Sequence, residues 1–135
     1  MKCEFAREGL LWIDKIATGV GIIVFNSRAK FAAGVHVLRG VSQIKNPPNP
    51  AYFADTAIDY VLDEFTKRQA REGLSVAIAG GAAMLSSQED VGSRLVSAVK
   101  EVLVEKHIAV KIESVGGIKL RTMILNIDEG KIQIS

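Results

Sequence analysis

Two apolar runs in the first third of the chain set the reading. Gly21 to Phe25 and Phe31 to Leu38 are rich in β-branched and small apolar side chains, and Asn26-Ser27-Arg28-Ala29-Lys30 separates them. This pattern predicts two antiparallel strands joined by a hairpin. Neither strand has a polar face. Val20, Ile22 and Val24 alternate with Gly21, Ile23 and Phe25, while Phe31, Ala33, Val35 and Val37 alternate with Ala32, Gly34, His36 and Leu38. Strands apolar on both sides are covered on both sides, which places the hairpin near the centre of a layered domain. A loop from Ser27 to Lys30 would pair Asn26 with Phe31 and Gly21 with His36.

Gly40 to Pro50 breaks the pattern with Pro47, Pro48 and Pro50. Asn49 is placed to cap a following helix, and Pro50 suits a first turn, where its missing N–H would have had no partner anyway. The helix is expected to run to about Arg71 and stop at Gly73, with Ile58, Val61, Leu62 and Phe65 as its buried stripe. Asp63 with Lys67 and Glu64 with Arg68 fall at the spacing of helical ion pairs. Leu74 to Ala79 reads as a strand ending at Gly80-Gly81. Ser87 and Asp90 form a candidate capping box for a second helix through about Lys106, striped by Val91, Leu95, Ala98, Val99, Val102 and Leu103. Ile108 to Val115, Leu120 to Ile127 and Lys131 to Ile134 read as strands, with Gly116-Gly117 as a hairpin turn between the first two.

The order is therefore two or three strands, helix, strand, helix, three strands. That is an α/β chain whose mixed sheet carries two helices on one face, and whose consecutive terminal strands do not suit a doubly wound parallel fold. At 135 residues it has the length of a single domain, residues 1–135.

Composition narrows the function. The 17 basic and 15 acidic residues are dispersed, so no basic stripe points to nucleic acid. The amino terminus carries Glu4, Arg7 and Glu8 rather than an export signal, and no apolar run is long enough for membrane insertion, so a cytoplasmic location is expected. Cys3 is the only cysteine, which rules out an intrachain disulfide or a multi-thiolate metal site. With His36 and His107 far apart in sequence, no metal or other cofactor is indicated.

Several short stretches invite chemistry. Ala17 to Gly21 lacks the third glycine and the following helix that a nucleotide loop needs. Gly80-Gly81 reads either as a tight strand exit or as a turn touching a ligand. His36 interrupts an apolar strand and must satisfy its ring nitrogens, either as a hydrogen-bonded core histidine or as a general base. His107 reads as a helix-end residue. Cys3 precedes the expected first strand and has no activating neighbour in sequence. Thr18 is a hydroxyl beside Gly19, and a weak nucleophile unless a base is aligned with it.

Thr18 to Asn26 followed by Ala29 to Leu38 resembles the catalytic hairpin of the chemoreceptor glutamine deamidase family, the CheD-like chemotaxis proteins. Further matching stretches occur in the same order: Tyr52 to Ala57, Ile78 to Met84, Val91 to Arg94, Gly116-Gly117 with Arg121, and Asn126 to Lys131. The resemblance implies a layered α/β/β sandwich with mixed, largely antiparallel sheets and two main helices. It also implies hydrolysis of glutamine side chains on chemoreceptors, in which a cysteine thiolate attacks the carboxamide and a histidine acts as base. A glutamine-containing chemoreceptor helix and a chemotaxis adaptation phosphatase are the partners it suggests, and oligomeric state is left open.

By the same resemblance the family histidine falls on His36 and the family cysteine on Gly19, which carries no side chain. The hairpin register puts these two on one face, about 7 Å apart between β-carbons. Asp14 and Leu95 also depart from the family pattern. Gly19 is thus either part of a rebuilt turn that needs a close approach, or an empty thiol position beside a preserved base. The expected function is a catalytically silent relative that binds a protein partner. The alternative is an amidohydrolase using Thr18 or an activated water, with His36 as base. Gly80, Gly81 and Arg94 are candidate pocket residues.

Overall fold

Strand β3 (Val20–Asn26) is buried at every position, and β4 (Phe31–Val37) at every position but His36. A computed structural model, describing residues 3–83, 85 and 89–135, shows why both faces are closed. The two strands pair antiparallel with Asn26 opposite Phe31 and Gly21 opposite His36, the register expected from the loop length. They form the middle of a five-stranded sheet ordered β1 (Cys3–Ala6), β4, β3, β5 (Ser75–Gly80), β6 (Val110–Val115). β5 runs antiparallel to β3, and β6 parallel to β5 by way of helix α2 (Glu89–Glu105). A second antiparallel sheet is ordered β2 (Leu10–Ile16), β7 (Arg121–Asn126), β8 (Lys131–Ile134).

Side-chain alternation divides the interior into two cores. Val20, Ile22 and Val24 face the helices, packing with Ile58, Val61, Leu62 and Phe65 of α1 (Ala54–Lys67) and with Leu95, Val99 and Leu103 of α2. Ile23, Phe25, Ala32, Ala77 and Ala79 face the other way and meet Leu11, Ile16, Met123 and Leu125 of the second sheet. The architecture is an α/β/β sandwich of mixed, mostly antiparallel sheets with two main helices.

Local details differ from the sequence reading for identifiable reasons. Four strands, not two or three, precede the first helix, and Cys3 opens β1 rather than preceding the strands. β2 was obscured because its register shifts between Ile13 and Ile16, where Lys15 takes a left-handed φ of 54° and upsets the alternation. Asn49 and Pro50 start a short 3-10 turn, Pro50–Tyr52, in which the Asn49 side chain accepts from the Ala51 N–H at 3.2 Å. Phe53 is extended, so α1 begins only at Ala54.

α1 ends at Lys67, short of Arg71 and before Gly73, because Gln69 supplies the left-handed residue with φ 55°. The Gln69 N–H then bonds to Thr66 O at 3.0 Å and the Ala70 N–H to Phe65 O at 2.8 Å, closing the helix as a Schellman motif. His107, with φ 59°, does the same for α2, the Ile108 N–H bonding to Leu103 O at 2.9 Å. The expected ion pairs of α1 are present, Asp63 to Lys67 at 3.6 Å and Glu64 to Arg68 at 4.0 Å. Ser87 of the expected capping box lies outside the described residues. Gly116-Gly117 is not a hairpin turn: it carries the chain from β6 in one sheet to β7 in the other.

Candidate functional site

The segment 17–19 links the two sheets between β2 and β3, and backbone bonds hold it in place. The Gly81 N–H donates to Gly19 O at 2.9 Å and the Ala82 N–H to Ala17 O at 2.9 Å. This close approach is what Gly80 permits. Its φ is 123°, and a β-carbon there would strike the Gly19 carbonyl oxygen. Gly81, at φ 67°, packs against Val96 and Gly92 of α2 in the same way. Of the two readings of Gly80-Gly81, the tight strand exit accounts for the geometry. Gly81 also lines a surface cavity of about 740 Å³ together with Ser93, Lys100 and Gly117, whereas Gly80 is buried and Arg94 projects to solvent outside that lining.

His36 and Gly19 come together as their register implies. A β-carbon on Gly19 would lie 2.7 Å from His36 Nε2, 2.7 Å from Leu38 Cδ2 and 2.9 Å from Val37 O. Imidazole and leucine side chain therefore fill the room a side chain at Gly19 would need. Gly19 is not among the residues with positive φ, so the close approach, rather than a forbidden backbone angle, fits glycine to this position.

His36 Nε2 is buried and has no hydrogen-bond partner. Burial lowers the imidazole pKa below its usual 6.5, with the Asp14 carboxylate opposing that shift. The ring is therefore neutral near pH 7 and can accept a proton. His36 also borders a small cavity of about 160 Å³ lined by Glu4, Leu11, Trp12 and Asp14 among others. Asp14, marked in the sequence as a departure from the family pattern, thus stands at the cavity beside His36, and the exposed Trp12, which the sequence reading does not single out as a site residue, joins it from the same strand.

Thr18 is half-buried beside this pair and makes no hydrogen bond to His36 Nε2. Cys3 pairs with Val35 and packs into the helix-side core, the opposite face of the sheet from His36, so its thiol is not presented to the imidazole. Burial, reinforced by Glu4 and Glu64, pushes that thiol up to about 12, which keeps it protonated. Among the described residues no group of three or more His, Cys, Asp or Glu side chains is arranged to hold a metal ion. No helix among them is long and apolar enough to cross a membrane. The arrangement thus offers a neutral base facing a glycine, with neither thiol nor hydroxyl hydrogen-bonded to it.

Residues 37–135 match the family model for CheD chemotactic sensory transduction, a match that begins one residue after His36. Full-length relatives extend the likeness over the hairpin. A probable chemoreceptor glutamine deamidase CheD from Clostridium botulinum (strain Alaska E43 / Type E3) is 38% identical over 136 residues, covering 96% of this chain and 84% of the relative. A second, from Clostridium botulinum (strain Hall / ATCC 3502 / NCTC 13319 / Type A), is 37% identical over 133 residues, 90% of this chain and 82% of the relative. A third, from Clostridium novyi (strain NT), is 36% identical over 122 residues, 85% of this chain and 75% of the relative. With the three-layer sandwich and the β3–β4 hairpin in the expected register, the chain belongs to the CheD family.

Proposed function

We propose that this chain is a cytoplasmic, single-domain CheD protein that binds a chemoreceptor's glutamine-bearing helix or a chemotaxis adaptation phosphatase, without thiol catalysis. The observation that carries this reading is the filled space at Gly19. The position assigned to the family nucleophile has no side chain, and His36 and Leu38 occupy the room one would take. The only cysteine is on the other face of the sheet with its thiol protonated. Covalent attack on a carboxamide needs a nucleophile activated by an adjacent base, and here the base stands without one.

A second reading is favoured by the names of the relatives, and by those names alone it is the better supported. The chain would hydrolyse receptor glutamines through Thr18 or an activated water, with His36 as base. The neutral imidazole and its unpartnered Nε2 are the features it would use.

Ammonia release from glutamine-containing chemoreceptor fragments separates the two, with a pull-down on the same fragments and on the phosphatase. The native chain is expected to bind one of these partners and release no ammonia. Ammonia release by the native chain overturns the first reading. Thr18→Ala and His36→Ala then assign the chemistry: loss in both points to the threonine hydroxyl, and loss in His36→Ala alone points to water. Release only by Gly19→Cys shows a receptor-binding surface that still presents the glutamine.

A further inference from the structure

β7 turns Arg121, Met123 and Leu125 inward, so a guanidinium stands in a row of core side chains. Arg121 is only 6% exposed. Its Nε donates to Ser114 Oγ at 2.9 Å, and Nη1 reaches Gly80 O at 3.5 Å. None of the ion pairs among the described residues includes it. A buried cation satisfied only by neutral groups is costly, and such charges are ordinarily paired.

Nη2 points to where a counter-charge could come from. A β-carbon on Gly117 would lie 3.5 Å from it, so the guanidinium sits beneath the Gly116-Gly117 backbone. That backbone forms one wall of the cavity of about 740 Å³, across from Ser93, Ser97 and Lys100 of α2. Among the described residues no carboxylate belongs to the lining, and Lys100 is their only charged side chain there. Its ammonium also meets Glu113 at 2.7 Å, a pair more than 40% exposed on both sides and hence weakly held. Gly116 and Gly117 both have left-handed φ, 79° and 72°. The Gly116 N–H is engaged with Gly80 O at 2.9 Å, while the Gly117 N–H donates to no described acceptor. Arg121 does not itself line the cavity; the free amide of the glycine turn, the lysine and the two serines do, and the buried guanidinium lends its positive charge from behind the turn, which together suits an oxyanion.

We propose that this cavity binds an oxyanion, a carboxylate or phosphate group lying on the Gly116-Gly117 turn opposite Lys100, with the Arg121 guanidinium behind the turn. The site is separate from the Gly19–His36 pair and does not rest on either reading of the function. The two adjoin through Gly80, whose carbonyl receives Arg121 and whose α-carbon abuts Gly19.

The test is a titration of the native protein with inorganic phosphate, and separately with acetate, following the Arg121 Nε–H resonance by NMR at constant ionic strength set with chloride. A saturable displacement of that resonance by phosphate or acetate is expected, the tighter of the two naming the ligand class. Lys100→Ala, a change at a half-exposed side chain, is expected to weaken it by several-fold while leaving the circular dichroism spectrum unchanged. The proposal fails if neither anion moves the resonance, if chloride moves it equally, or if Lys100→Ala leaves the affinity as it was.

Discussion

His36 Nε2 stands 2.7 Å from the point a β-carbon of Gly19 would occupy, so the imidazole and an absent side chain compete for one space. The contact is enforced from both sides. β4 carries His36 opposite Gly21, and the Gly81 N–H, just past the end of β5, pins the Gly19 carbonyl. Imidazole and Leu38 methyl are movable ends of side chains, but Val37 O, at 2.9 Å from the same point, is backbone. Refilling the position therefore demands a rotation of His36 and a small shift of the strand.

Gly19→Ala is expected to destabilise the fold by about 1–3 kcal/mol, the usual cost of overpacking. If His36 is the main obstacle, the double variant Gly19→Ala/His36→Ala is less destabilised than the sum of the single variants. Urea unfolding of all four proteins gives the coupling. Additive penalties would mean that Val37 O or Leu38, not the imidazole, resists the new side chain.

Because burial lowers the pKa of His36, protonation opposes folding. The unfolded chain then binds the proton more readily than the folded one, and stability rises with pH. The contribution is fully present above the usual 6.5 and is lost as pH falls toward the lowered folded value. His36→Gln, which cannot titrate, is expected to flatten the melting temperature between pH 7 and pH 5 relative to the native chain. Parallel curves for the two proteins would show that other groups carry the acid sensitivity.

The sequence made the hairpin legible because two apolar strands joined by a short polar loop leave one register, and that register alone places Gly19 diagonal to His36. It did not reveal that the imidazole closes over Gly19, since a side chain's rotamer depends on what packs around it. Nor did it separate the sheets. Consecutive strands such as β6 and β7 read as a hairpin whether or not they pair, and only the burial of Arg121 together with Met123 and Leu125 marks β7 as part of another layer. β2 was lost to its bulge at Lys15 and to the exposed Leu10, Trp12 and Asp14, which mask the inward Leu11 and Ile16.

Gly92 provides a test of the junction that supports the site. Alanine in place of glycine ordinarily favours a helix by about 1 kcal/mol. Here a β-carbon would strike Gly81 O and stand 2.7 Å from Gly81 C, both backbone atoms, so the sign is expected to reverse. Gly92→Ala should cost about 2–4 kcal/mol in a denaturant melt. Gly34→Ala is the control, because its β-carbon would stand 3.4 Å from the Ile13 and Leu11 side chains, close to ordinary contact. Its effect is expected to stay within about 1 kcal/mol. Equal losses in the two variants would remove the argument that α2 and the Gly80-Gly81 turn meet too closely for any side chain.

Cys3 tests whether the fold holds its lone thiol apart from the site. A thiol at about 12 in place of 9.0 carries roughly a thousandth of the thiolate at a given pH below both values. The more basic thiolate is also the better nucleophile, which offsets part of that loss, so alkylation by iodoacetamide at pH 8 is expected to be slower in the folded protein than in urea by roughly tenfold or more. His36→Ala should leave the folded rate unchanged, since Cys3 packs on the helix side of the sheet and His36 faces β2. A fast folded rate that His36→Ala abolished would instead place the thiol within reach of the imidazole, and would reopen Cys3 as the nucleophile that Gly19 does not supply.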